Sequence, residues 1–244
     1  MKFAWYALRS LVFYIGYAFI MITQTLASVA IMPFVSKEFL HRFTVTACRV
    51  SVRWARIACG IRYELIGAEN IPPTPCVVLA KHQSAWETLY LQGWLQPATT
   101  VAKRELLRIP VFGWGMALTG PIVIDRGQRS SALKEVIRQG TERLHGGQHV
   151  IIYPEGTRML PGQQGEYSAG GTMLAVKAGV PVLPVALNSG DCWPRGTLIK
   201  RPGLIRVEIG KPIASEGSSA KELITQARDW IEQTLAARTP TASP

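Results

Sequence analysis

A histidine and a glutamate lie five residues apart, His82 and Glu87, in the segment Lys81-His82-Gln83-Ser84-Ala85-Trp86-Glu87. A histidine titrates near neutrality and can take a proton from a hydroxyl. Neutral imidazole does this with one ring nitrogen protonated and the other free. A carboxylate that accepts the N–H fixes that tautomer and stabilises the imidazolium that forms. Glu87 is spaced to do so. It also closes a Ser-x-x-Glu capping box, in which it would only bond the backbone at Ser84 and open a helix. Taken singly, the cap is the commoner role, and a lone histidine is more often structural. About 70 residues later comes Tyr153-Pro154-Glu155-Gly156-Thr157-Arg158. Its Pro and Gly force a turn, and its arginine can grip a phosphate through two N–H groups.

Two more segments stand out. Lys103-Arg104-Glu105-Leu106-Leu107, followed by Pro110 and Gly113, sets two adjacent cations where an anion could meet them. A solvated charged turn is the commoner fate of such a cluster. Val180-Pro181-Val182-Leu183-Pro184-Val185 is apolar, and its two prolines argue for an edge or irregular strand.

The elements that must position these residues begin near residue 61. Short β-rich runs fall at 62–65, 76–80, 100–102, 122–124, 150–153, 180–186 and 205–209. Helical patterns fall at 85–95, 130–144, 171–178 and 220–236. The alternation predicts an α/β fold, a mostly parallel mixed sheet flanked by helices. Residues 77–80 read as a buried strand, which puts His82 just past a strand end, where sites of open α/β sheets gather. There is no internal repeat. The Thr- and Pro-rich tail, 238–244, reads as disordered.

The first 60 residues have a different character. Residues 10–36 carry no charge, a run of 27. That is long enough for a helix crossing about 30 Å of hydrocarbon, although Thr23, Gln24, Thr25 and Pro33 interrupt it. Apolar residues continue past the candidate cleavage site at Ala30, which disfavours a signal peptide. In residues 41–58, Arg42, Arg49, Arg53 and Arg56 alternate with Phe43, Val45, Val50, Val52, Trp54 and Ile57. This is a basic helix lying in the head-group plane, or a core-packing helix with a solvated arginine face. The expected organisation is an N-terminal membrane segment over 1–60, a catalytic domain over 61–237 and the tail. The membrane segment would be an apolar helix, or a re-entrant helix pair, with the basic helix.

The formal net charge is +11, and residues 1–60 hold seven Lys/Arg against one acid. Basic residues beside an apolar run suit anionic lipid head groups, and their bias toward the C-terminal flank places the catalytic domain in the cytoplasm. Nucleic acid ranks well below, for want of a zinc-finger spacing, a helix-turn-helix or an aromatic-laced basic run. Cys48, Cys59, Cys76 and Cys192 form no Cys-x-x-Cys pair and read as free thiols in a reducing compartment. The histidines, His41, His82, His145 and His149, are scattered, and no metal site is expected.

All four segments, in this order, resemble the glycerolipid acyltransferase family, in particular its 1-acylglycerol-3-phosphate acyltransferases. The family pattern is His-x4-Asp, a Lys-x-Glu-Leu segment ending in Pro and Gly, Pro-Glu-Gly-Thr-Arg, and Val-Pro-x-x-Pro-Val. Ile124-Asp125-Arg126 also matches a stretch the family often shows. The resemblance covers roughly residues 61–215. Three positions depart from it: Glu87 stands where Asp is usual, Lys81 where Asn is common, and Met159 where Ser is frequent.

The resemblance implies that His82, oriented by Glu87, deprotonates the sn-2 hydroxyl of lysophosphatidic acid. That oxygen would attack the thioester of acyl-CoA or acyl-carrier protein, giving phosphatidic acid for phospholipid synthesis without a covalent acyl-enzyme or a cofactor; the alternatives are an acyltransferase for glycerol 3-phosphate or another lysophospholipid, and a non-catalytic membrane lipid-binding protein. It implies that Arg158, Lys103 and Arg104 hold the acceptor phosphate, with Glu155, Gly156 and Thr157 shaping that pocket. Val180, Pro181 and Pro184 would line an acyl-chain tunnel or simply pack in the core. The expected location is a bacterial inner membrane.

Overall fold

The structure, a computed structural model, describes residues 2–125, 127 and 129–237. Arg126 and the tail expected to be disordered lie outside the described residues. The strands are β1 (Ile61–Ile66), β2 (Val77–Ala80), β3 (Ala98–Lys103), β4 (Ile122–Ile124), β5 (His149–Ile152), β6 (Val182–Leu187) and β7 (Gly203–Ile209). They form one sheet in the order β1-β7-β6-β2-β5-β3-β4, with only the β6–β7 pair antiparallel. The helices are α1 (Lys2–Ile31), α2 (Lys37–Cys59), α3 (Trp86–Trp94), α4 (Phe112–Leu118), α5 (Arg129–His145), α6 (Gly170–Ala178) and α7 (Ala220–Ala236).

Strands covered on both faces read as unbroken apolar runs, and β2 is one. Its alternate residues feed two cores. Val78 and Ala80 join Phe13, Trp86 and Tyr90 on the α1–α2–α3 side. Val77 and Leu79 join Leu174, Leu223 and Ala227 on the α6–α7 side.

Of the two alternatives for the Pro-rich strand, edge or irregular, the structure overturns the edge position. β6 is central, between β2 and β7. A proline inside a sheet costs a ladder bond only where a partner carbonyl awaits its N–H. The β6–β7 ladder runs from Val185 to Leu187, so Pro184 lies just past its end. Its carbonyl still accepts the Gly210 N–H at 2.9 Å.

α1 and α2 form an antiparallel hairpin. Ser36 caps α2 by accepting the Phe39 N–H at 3.2 Å, and Gly60 ends it with a left-handed φ of 72°. The apolar stripe of α2 divides: Val45 and Val52 are buried and Phe43 and Trp54 half-buried, while Val50 and Ile57 are exposed along with Arg42, Arg49, Arg53 and Arg56. One face of the helix packs in the core, and its exposed face mixes the arginines with Val50 and Ile57. α1 is built the other way round. Its buried residues are Ser10, Phe13, Thr25 and Ser28, while Leu11, Ile15, Phe19, Ile22 and Leu26 are exposed. By length and composition it is the one helix among the described residues able to cross a membrane.

The hairpin closes tightly at Gly16, where a Cβ would lie 2.3 Å from the Trp54 indole nitrogen. That nitrogen donates to the Phe13 carbonyl at 3.0 Å. Gly16→Ala should displace Trp54 and cost about 1–3 kcal/mol, the usual penalty of overpacking. Thermal unfolding of the variant checks this.

Candidate active site

β2, β3, β5 and β6 run parallel to one another, so their C-terminal ends share one edge of the sheet. Lys103 ends β3, and the loops leaving β2, β5 and β6 carry His82, Tyr153 to Arg158, and Ser189. This is the edge where open α/β sheets collect their sites.

Glu87 is fully buried in the first turn of α3. Its Oε1 accepts from His82 Nδ1 at 2.9 Å and from the N–H groups of Gln83 and Ser84, both at 2.7 Å. Its Oε2 accepts the hydroxyls of Ser84 at 2.5 Å and Ser189 at 2.6 Å. The cap and the histidine partner are thus one carboxylate. Glutamate's extra methylene does not prevent contact with the imidazole. A carboxylate only accepts, so Nδ1 carries a proton in either form of the ring, and in the neutral form Nε2 is the free base. Burial by itself would raise the Glu87 carboxyl. The hydrogen bond and charge of His82, with bonds from Ser189 and Ser84, outweigh it and hold the group below its ordinary value.

Three further contacts fix the His82 segment. The imidazole stacks on Tyr153 with ring centroids 4.2 Å apart. The His82 N–H donates to Glu155 Oε2 at 2.9 Å, and its carbonyl accepts the Met159 N–H at 2.7 Å. The turn that makes this possible has Pro154 at its second position and Gly156 at its fourth, closed by Gly156 N–H to the Tyr153 carbonyl at 3.0 Å. Burial pushes the Tyr153 phenol well above its ordinary value, so the stacked ring is neutral.

Glu155 points inward beneath this turn. Its Oε1 pairs with Lys81 Nζ at 2.7 Å, and Lys81 also pairs with Glu232 at 2.7 Å. Burial raises the Glu155 carboxyl, with the Lys81 bond and charge opposing. Breaking a buried pair by removing one partner typically costs about 3–5 kcal/mol. Glu155→Ala should lose less than that, about 1–3 kcal/mol by urea unfolding, because Lys81 keeps Glu232 at 2.7 Å as a carboxylate partner.

A cavity of about 510 Å³ opens beside His82. Its apolar wall comes from four helices and β3, including Met21, Ala47, Leu89, Val101, Phe112 and Met116. Its polar wall holds His82, Lys103, Gly156, Thr157, Arg158 and Arg195. Arg104 is exposed on the turn after β3 and does not line it. Neither do Val180, Pro181 and Pro184: Val180 packs against the α6–α7 core and Pro184 is buried in β6. Among the described residues no group of three metal-ligating side chains is found.

Sequence reasoning missed Ser189, Arg195 and the α1, α2 and α4 cavity walls. The only signal for Ser189 is its place after the end of a strand, as for His82. Nothing in the spacing of α1 marks which residues would face a ligand.

The Acyltransferase family model matches residues 62–188. The chain is 46% identical to the 1-acyl-sn-glycerol-3-phosphate acyltransferase of Pseudomonas aeruginosa, over 96% of this chain and 93% of that one. It is 28% identical to the enzyme of that name from Saccharomyces cerevisiae, over 94% and 77%. The crystal structure of the 1-acyl-sn-glycerophosphate (LPA) acyltransferase PlsC from Thermotoga maritima matches with a TM-score of 0.82 at 25% identity, over all of both chains. Order of segments, sheet topology and sequence identity agree, and the chain belongs to the glycerolipid acyltransferase family, among its 1-acyl-sn-glycerol-3-phosphate acyltransferases.

Proposed function

We propose that the enzyme transfers the acyl group of acyl-CoA or acyl-carrier protein to the sn-2 hydroxyl of lysophosphatidic acid, at the cytoplasmic face of a membrane. The observation that carries this reading is the His82–Glu87 pair at 2.9 Å on the wall of a cavity that also holds Lys103 and Arg158. His82 Nε2 takes the proton of the hydroxyl. The oxygen attacks the thioester carbonyl, the new C–O ester bond forms and the C–S bond breaks. The leaving thiolate takes the proton back from the imidazolium. Glu87 stabilises that imidazolium and stays ionised. Arg158 and Lys103 hold the acceptor phosphate, while Glu155 acts indirectly by fixing the His82 backbone. The thioester is already activated, so this route needs no cofactor.

The apolar part of the cavity takes the donor's acyl chain. Its volume is within the usual range of about 300–1,000 Å³ for ligand pockets. α1, with its large apolar residues mostly outward and Ser10, Phe13, Thr25 and Ser28 inward, suits a helix set into lipid. The surplus of basic residues in the first 60 suits anionic head groups.

Ala47→Phe would put a ring into the apolar wall. Rates should fall about tenfold or more with palmitoyl donors and much less with short-chain donors. An equal fall for all chain lengths would place the acyl chain elsewhere. The acceptor is tested with purified protein offered lysophosphatidic acid, glycerol 3-phosphate and lysophosphatidylethanolamine. Transfer to lysophosphatidic acid above the others is expected, and preference for either rival acceptor contradicts the proposal.

A further inference from the structure

The loop after β6 carries an arginine that lies in none of the four segments. Arg195 is on the wall of the His82 cavity with Arg158 and Lys103. Its Nη1 donates to the backbone carbonyl of Arg158 at 2.5 Å. The loop is anchored at both arms. Arg201 N–H donates to the Cys192 carbonyl at 2.8 Å and closes its base. Trp193 packs edge-on against Phe13 of α1, ring centroids 5.0 Å apart. Lys200 ties the other arm to the same helix, through its N–H to Ser10 Oγ at 2.8 Å and its ammonium to Tyr14 Oη at 2.6 Å. The chain reverses at Gly196, whose φ is +80°. Arg195 therefore sits at the tip of a loop whose position α1 fixes.

Among the described residues, no ion pair engages Lys103, Arg158 or Arg195. Like charges held near one another repel, and an anion between them relieves this. A guanidinium has five N–H donors, and the bond to the Arg158 carbonyl uses one of them. We infer that Arg195 is a second phosphate-binding arginine of the acceptor site. With Arg158 it grips the phosphate monoester of the acyl acceptor and so sets the sn-2 hydroxyl against His82. This rests on the acceptor reading above. Phosphate groups are also carried by a coenzyme A donor, and the test separates the two sources.

Initial rates are compared for the wild type, Arg195→Ala and Arg195→Lys, varying lysophosphatidic acid at saturating acyl-CoA and then the reverse. Loss of a charged hydrogen-bond partner should raise the acceptor KM of Arg195→Ala about tenfold or more. Its kcat should also fall, because the hydroxyl is less well aligned, its acyl-CoA KM should stay within about twofold of wild type, and Arg195→Lys should recover part of both losses. Binding of a lysophosphatidic acid analogue lacking the sn-2 hydroxyl should weaken by a similar factor. That readout needs no turnover, so it stands even if the sn-2 reading fails. Unchanged acceptor KM and analogue binding would overturn the inference. So would a rise confined to the acyl-CoA KM, which gives the arginine to the donor. A loss of kcat that tracks a lower unfolding temperature, unrepaired in Arg195→Lys, would make its role structural.

Discussion

Replacing His82 with alanine should lower kcat about 10³-fold, within the 10²–10⁴ range for loss of a positioned general base. The imidazole is placed by contacts on several sides: Glu87 at Nδ1, the Tyr153 ring at its face, and Glu155 and Met159 at its backbone. No carboxylate and no other imidazole lines the cavity among the described residues, so nothing nearby can take over. The phosphate-binding cations are untouched, and the acceptor KM should move only a few-fold. Glu87 keeps its bonds from Gln83, Ser84 and Ser189 in the variant, so the fold should survive. Steady-state kinetics and a thermal unfolding curve check both parts. A variant that keeps more than about a tenth of the wild-type rate removes His82 from the role of base.

Glu87→Gln should be nearly as damaging, and in two ways. Its carboxylate gathers donors from His82, Gln83, Ser84 and Ser189, and an amide nitrogen cannot accept from any of them. The mismatch should cost about 1–3 kcal/mol of stability, the penalty of an unsatisfied buried polar group. It also removes the negative charge that stabilises the imidazolium, and kcat should fall about 10²–10⁴-fold. Glu87→Asp keeps the charge and should be at least ten times more active than Glu87→Gln. The stability part has a defined pH dependence. The folded carboxyl titrates below its ordinary value of 4.5. Its contribution is therefore complete above that value and lost as pH falls through the lower folded one. The stability gap between wild type and Glu87→Gln should be widest at about pH 7 and narrow in acid. Urea unfolding at several pH values measures it, and a gap that does not change with pH would refute the argument.

The architecture was largely legible because its elements are locally consistent. β2 and β4 announce themselves as short apolar runs, and α7 runs over the residues its pattern marks, opened by the Ser219–Glu222 capping box. Where tertiary context decides, the sequence was silent or misleading. Pro181 and Pro184 read as signs of an edge or irregular strand, but Pro181 precedes β6 and the β7 ladder stops just before Pro184 could matter. α4 was not foreseen, as its few residues, rich in glycine and bulky apolars, give no clear period. α2 left two readings open because the same stripe suits lipid or core, and in the fold its residues divide between a packed face and an exposed one that holds Val50 and Ile57. At the site, His82 and Glu87 were visible as a spaced pair. Ser189 and Arg195 were not, since only the sheet brings the β6 end beside the β2 and β5 ends.

The most direct measurement of the central claim is the position of the transferred chain. The purified protein, in anionic phospholipid vesicles, is given lysophosphatidic acid and a donor with a labelled acyl group, and the product is cut with an sn-2-specific phospholipase. The expected result is labelled phosphatidic acid whose label is released as free fatty acid. Label that stays on the lysophospholipid after cleavage, or that never enters phosphatidic acid, would contradict the account.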